Sequence, residues 1–138
     1  MATAQQVVDR MMAKDAFSRL LGLQVDEVRD GYCKLHFTVT SAMMNGFEVL
    51  HGGVTYSAAD SALAFAANSY NRLSLALSCT IDYMESGKVG DVLSVEAVEE
   101  SCRNKTATYV IRVTNQNGTL MALFKGTVYR TSKYLIEE

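Results

Sequence analysis

Asp60 is the single formal charge in a segment, Val54 to Ser69, that is otherwise apolar or small on every side. A carboxylate in such a setting must be paired, protonated or open onto a cleft. No Lys or Arg stands three or four residues away to pair with it. Desolvation raises a carboxyl pKa toward the range useful to a general base, which makes Asp60 the first catalytic candidate. The alternative is a structural carboxylate bonded to a neighbouring Ser, Thr or Tyr. Upstream lie an Asn45-Gly46 turn and the run His51-Gly52-Gly53. Consecutive glycines let backbone approach a ligand closely, and the first N–H groups of a helix have no partner of their own, so Gly53 is a candidate oxyanion donor. A plain turn with an N-cap is the other reading of the same residues. Gly53 and Asp60 are seven residues apart, about 10 Å along one helix axis. A water held by Asp60 therefore reaches a carbonyl held by Gly53 more easily if the two groups come from different subunits, which places the site at a dimer interface.

The elements that must hold these residues are legible in the hydrophobic spacing. Apolar residues recur every three or four positions from Gln5 to Leu21, which predicts an amphipathic helix stopped by Gly22. A short strand follows over Leu23–Val28, turned by Asp30-Gly31 into a strand over Tyr32–Thr40 with Cys33, Leu35, Phe37 and Val39 inward. Residues 53–69 predict a central helix of about four turns. Four alternating runs over 73–83, 91–101, 105–115 and 119–130 predict consecutive antiparallel strands, and residues after Thr131 a frayed tail. An all-round apolar helix followed by long strands implies a curved sheet wrapped around that helix, an α+β fold in one domain spanning 1–138.

Composition narrows the function classes. Thirteen Lys and Arg against fifteen Asp and Glu give a net charge of −2, with no basic excess for nucleic acid. Charged residues make up only 20% against a usual share of about 25%, a hint that another subunit covers part of the surface. No apolar run approaches the roughly 18 residues of a membrane span, and the expected location is cytoplasmic. Cys33, Cys79 and Cys102 form no C-x-x-C pair and read as reduced, partly buried thiols; no metal cluster is evident.

The ordered set Asn45-Gly46, His51-Gly52-Gly53, Asp60, Ser78-Cys79-Thr80-Ile81-Asp82-Tyr83 and Gly90-Asp91-Val92-Leu93 resembles the phenylacetate-degradation (PaaI) type of hotdog-fold acyl-CoA thioesterase, from about Leu20 to Arg130. The resemblance implies a long central helix wrapped by an antiparallel sheet of five or six strands. It also implies side-by-side homodimers with active sites between subunits, stacked as homotetramers. By position, Asp60 would be the general base or nucleophile and Gly53 the donor to the thioester oxygen. Asn45 would orient the carbonyl or the water, His51 would shape the loop, and Ser78 would help hold water near Asp60. The acyl group it implies is aromatic or medium-chain.

Substrate contacts follow from the same resemblance. Phe47, Val49 and Leu50 are more apolar than a solvent loop requires and are candidates for lining an acyl pocket, with core or interface packing as the alternative. Lys88, Arg103 and Lys105 stand on turns where they could meet the phosphates of coenzyme A. Coenzyme A is part of the substrate, and no cofactor is expected. Two competing readings are a hydratase or dehydratase using His51 with Asp60, and a non-catalytic acyl-CoA binding module in which Asp60 is structural.

Overall fold

The segment with no polar face forms the longest helix of the chain in the computed structural model, which describes residues 1–138. Helices α1 (Ala4–Lys14), α2 (Ala16–Leu20) and α3 (Gly52–Asn68) accompany strands β1 (Gln24–Arg29), β2 (Tyr32–Thr38), β3 (Ser74–Tyr83), β4 (Val92–Cys102), β5 (Thr106–Thr114) and β6 (Leu120–Arg130). The six strands make one antiparallel sheet in the order β1-β2-β4-β5-β6-β3. Helix α3 touches every strand of it. Its buried face is built from Ala58, Ala59, Ala62, Ala66 and Ala67, with Leu63 and Phe65. Side chains this small let the curved sheet close down on the helix. The approach is tightest at Gly126 on β6, where a Cβ would lie 2.5 Å from Leu63 Cδ2. Cys33, Leu35, Phe37 and Val39 on and just after β2 complete the core from the other side, as their alternation requires.

Three expectations are corrected. The N-terminal helix expected over residues 5–21 is two helices, because Asp15 ends α1 and caps α2. Asp15 Oδ1 accepts from Ser18 N at 2.9 Å and its Oδ2 from Ser18 Oγ at 2.6 Å. Thr3 and Gln6 form a reciprocal capping box at the other end of α1. The strands after α3 are antiparallel but not consecutive: β3 lies at the far edge beside β6, and the chain crosses the sheet to reach β4. Buried Asn68 fixes that placement, donating to Ser74 O and accepting from Ser74 N at 2.8 Å, so that β3 starts at the end of the helix. Nor is the tail free. Asn71, in the left-handed region at φ 60°, donates to Ile136 O and accepts from Leu135 N and Ile136 N, while Glu138 accepts from Ala2 N.

One stripe of α3 stays uncovered. Gly53, Tyr56 and Asp60 are exposed and Ala64 is half-buried, at helical spacings of three and four. The helix expected to be wrapped on all sides is thus open along a line between α2 and the β3 edge.

The close approach at Gly126 gives a direct test. Gly126→Val should cost about 1–3 kcal/mol by overpacking against Leu63, read as a lower urea midpoint at unchanged m-value. A variant of parental stability would mean that Leu63 has room to give way and that the contact at Gly126 is not tight.

Candidate active site

His51 caps α3: its Nδ1 accepts from Gly53 N at 2.8 Å, which leaves the ring proton on Nε2. The donor chosen from sequence, Gly53 N–H, is therefore already satisfied within the chain. The neighbouring Gly52 N–H makes no hydrogen bond in the chain. Gly52 also faces a cavity of about 190 Å³, walled by Asn45, Val49, Leu50, Thr55, Tyr83 and the loop Glu85-Ser86-Gly87, whereas Gly53 does not. Tyr83 Oη donates to Gly52 O at 2.8 Å, and its ring stands 3.1 Å from where a Cβ on residue 52 would be. A side chain at residue 52 would crowd Tyr83, which would have to give by a few tenths of an ångström.

Asn45 lines the same cavity. Its Oδ1 accepts from Phe47 N at 2.8 Å and Val49 N at 3.3 Å, holding a tight loop in which Glu48 takes φ 62°. With Oδ1 committed, the side chain offers a ligand its Nδ2 donors, which suits an acceptor such as a carbonyl oxygen. The loop is closed against its neighbour by Leu50 N donating to Gly87 O at 2.9 Å.

Asp60 lies on the open stripe of α3, eight residues past Gly52 and so about 12 Å along the axis. It has no hydrogen-bond partner and no ion pair in the chain. Although one side is exposed, its partial burial against the neighbouring walls, then the nearby Asp15 carboxylate, pushes its carboxyl above the ordinary carboxylate range. It borders a small recess with Leu63, Ala64, Leu75 and Ala76 rather than the Gly52 cavity. One turn back, Tyr56 packs edge-on against Phe124 at 5.2 Å, beside the half-buried Cys79. Burial raises the Cys79 thiol, and it raises that of fully buried Cys33 to about 12; Cys102, expected to be partly buried, is exposed.

The remaining sequence candidates separate. Val49 and Leu50 line the Gly52 cavity, but Phe47 projects 88% exposed from the loop tip. Ser78 does not meet Asp60 of its own chain: Cys79 faces the helix, and Ser78, paired with Thr127, falls on the opposite face of the sheet. Lys88 stands at the β3–β4 loop near the cavity, whereas Arg103 and Lys105 stand at the β4–β5 turn. The eleven residues of β4, about 35 Å, separate them. Around that turn Arg72 donates to Asn104 O and Arg130 to Arg103 O, and none of these four cations is ion-paired. Sequence does not single out Tyr83, Glu85 and Ser86, because only the placement of β3 and the loop after it brings them to the start of α3, nor Thr55, which sits in the first turn of α3 itself.

The thioesterase superfamily model matches residues 47–122, from the Asn45 loop into β6. A putative esterase of Archaeoglobus fulgidus is 40% identical over 129 residues, covering 94% of this chain and 84% of its own length. The acyl-coenzyme A thioesterase PaaI of Escherichia coli is 35% identical over 127 residues, 92% of this chain and 91% of that protein. The solved structure of E. coli PaaI, from the phenylacetic acid degradation operon, matches with a TM-score of 0.93 at 34% identity, covering 95% of each chain.

An unpaired carboxylate with a raised pKa has a definite signature. In acid Asp60 is protonated whether the chain is folded or not, and no penalty exists; as the pH rises through its folded value, ionisation costs stability. Asp60→Asn should therefore melt higher than the parent at pH 7, with the difference vanishing as the pH falls below about 4. A lower melting temperature at pH 7 would identify Asp60 as a structural carboxylate.

Proposed function

The chain belongs to the thioesterase superfamily, as a hotdog-fold enzyme of the PaaI type, and on that premise we propose that it hydrolyses acyl-coenzyme A thioesters to the free acid and coenzyme A. The observation that carries the reading is Asp60: a carboxylate with no partner, raised pKa and an open approach, on the same helix as an unpartnered backbone donor at Gly52. In this reading Asp60 takes a proton from water, and the hydroxide adds to the thioester carbonyl. Gly52 N–H and Asn45 Nδ2 hold the resulting oxyanion; Gly53 N–H joins them if the His51 ring turns away. The C–S bond then breaks and the thiolate takes the proton from Asp60. The variant in which Asp60 attacks directly forms an anhydride that water opens, and it uses the same groups. Neither route calls on a metal or redox cofactor. Hydration chemistry would instead call on His51 through its Nε2, since Nδ1 accepts from Gly53 N–H, and it would leave the thioester uncleaved.

The reading requires two subunits. About 12 Å of helix separates the oxyanion donor from the base within one chain. Strand β3 supports a pairing that closes this gap: it is an edge strand of ten residues, free of charge until Asp82, with Leu75 and Leu77 56% and 62% exposed. The other edge, β1, is short and bulged and carries Asp26, Glu27 and Arg29, which makes it a poor template. Antiparallel β3–β3 pairing about a two-fold would set Asp60 of one subunit toward the Gly52 cavity of the other. It would also carry the Arg103 and Lys105 turn of one subunit toward Lys88 of its partner, a cationic rim suited to coenzyme A phosphates. Val49 and Leu50 would then border the acyl group, which we take to be aromatic or medium-chain. Phe47 and Ser78 would act across the interface. Stacking of two such dimers into a tetramer completes the proposed assembly.

Release of free thiol from a panel of acyl-CoAs tests the chemistry. The parent should cleave at least one substrate, and Asp60→Asn should lose about 100-fold or more in kcat at unchanged fold. A parent that binds acyl-CoA and releases no thiol would point to the binding module. The shared site has its own test: Leu75→Lys with Leu77→Lys should sediment as a monomer and lose activity in parallel, and a fully active monomer would refute it.

A further inference from the structure

We propose that Asp15 is a positioning residue for Asp60, a second carboxylate locked at the joint of α1 and α2 and tied through Ser18 and Ser61 to the turn of α3 that carries the base. The inference rests on Asp60 as that base. Asp15 cannot swing freely: both its oxygens accept from Ser18, one from the backbone N–H at 2.9 Å and one from the hydroxyl at 2.6 Å. Because the Ser18 hydroxyl spends its proton on Asp15, its 2.7 Å contact with Ser61 Oγ has Ser61 as donor. Ser18, the middle of this relay, is completely buried, while Asp15 and Ser61 at its ends are half-buried. Ser61 is the residue next to Asp60.

The groups facing Asp60 are few. From the α1–α2 joint comes Asp15; from its own helix, Tyr56; from β3, the Cys79 thiol. The rest of the recess, Leu63, Ala64, Ser74, Leu75, Ala76 and Val128, carries no charge. No cation lies within ion-pairing distance of either carboxylate. A fixed negative neighbour in such surroundings resists ionisation of Asp60 and keeps it a stronger base, which is what proton abstraction from water needs. The Asp15 contribution to the raised Asp60 carboxyl, second after burial, agrees with this placement. A helix cap alone would be served as well by Asn or Ser as by Asp.

That equivalence supplies the experiment, a pH profile of kcat/KM for thioester hydrolysis. Asp15→Asn keeps the cap and, with the repulsion of Asp60 removed, should melt no lower than the parent at pH 7. Its acid limb should move to lower pH, and its plateau kcat should fall by about two- to tenfold as the base weakens. Ser18→Ala, which frees Asp15 without changing charge, should move the limb the same way. Asp9→Asn, on the exposed face of α1, removes an equal charge and should leave the limb in place. An unmoved limb in Asp15→Asn, with Asp60→Asn inactive, overturns the proposal and leaves Asp15 as a cap. Equal movement in Asp9→Asn overturns it too, as a mere net-charge effect. Asp60→Asn that keeps its rate removes the base itself, a failure of the underlying reading that the Asp15 profile alone would not produce.

Discussion

The close contact between an alanine-faced helix and a curved sheet is the constraint on which the rest of the molecule depends. Alanine at positions 58, 59, 62, 66 and 67 and glycine at 126 remove the side-chain bulk that would hold the two layers apart. Interiors pack at near-crystalline density, so a helix this thin is enclosed only where the sheet can bend to meet it. The sheet has six strands, and its curve ends before the turn is complete. What remains is the stripe through Gly53, Tyr56 and Asp60. The site is exposed there because the wrapping runs out, with no polar face written into the helix.

A rigid helix also acts as a ruler. It holds the backbone of the first turn and that of residue 60 at a fixed separation, and no loop motion shortens it. The groups at its N-terminal end are locked in detail: Asn45 holds its own loop, His51 caps the helix, and Tyr83 fills the space that a side chain at 52 would take. Preorganised donors of this kind cost little reorganisation when charge develops on a ligand. Asp60, by contrast, has no partner, and only its surroundings are fixed.

How much of this was legible in the sequence depended on whether the governing interactions were local. The central helix and all six strands were found within a residue or two, because burial on one face or all round leaves a period in the sequence. The break at Asp15 was missed because apolar spacing continues across it, although Asp-x-x-Ser is itself a capping pattern. The displacement of β3 to the far edge was not legible, since it is decided by Asn68 meeting Ser74, a contact between side chain and backbone that leaves no periodic mark. The pinned tail depends in the same way on Asn71. Of the site, Asp60 and the loop from Asn45 to Gly53 were visible as residue types out of keeping with their surroundings. That the Gly53 N–H is already taken within the chain was not, because that turns on the rotamer of His51.

The two edges of the sheet differ in a way that governs assembly as a counting problem. An edge that can accept another strand is a bond site, and a sheet with two of them polymerises without limit. This one has an open edge at β3 and, at β1, a bulged strand bearing Asp26, Glu27 and Arg29. Its valence for strand addition is one. A unit of valence one can only terminate: two copies joined at β3 leave the β1 edges outermost, and growth stops at the pair. In the proposed dimer the charges on β1 would thus limit the stoichiometry of a surface far from any of them, since a second accepting edge is what strand addition without limit requires.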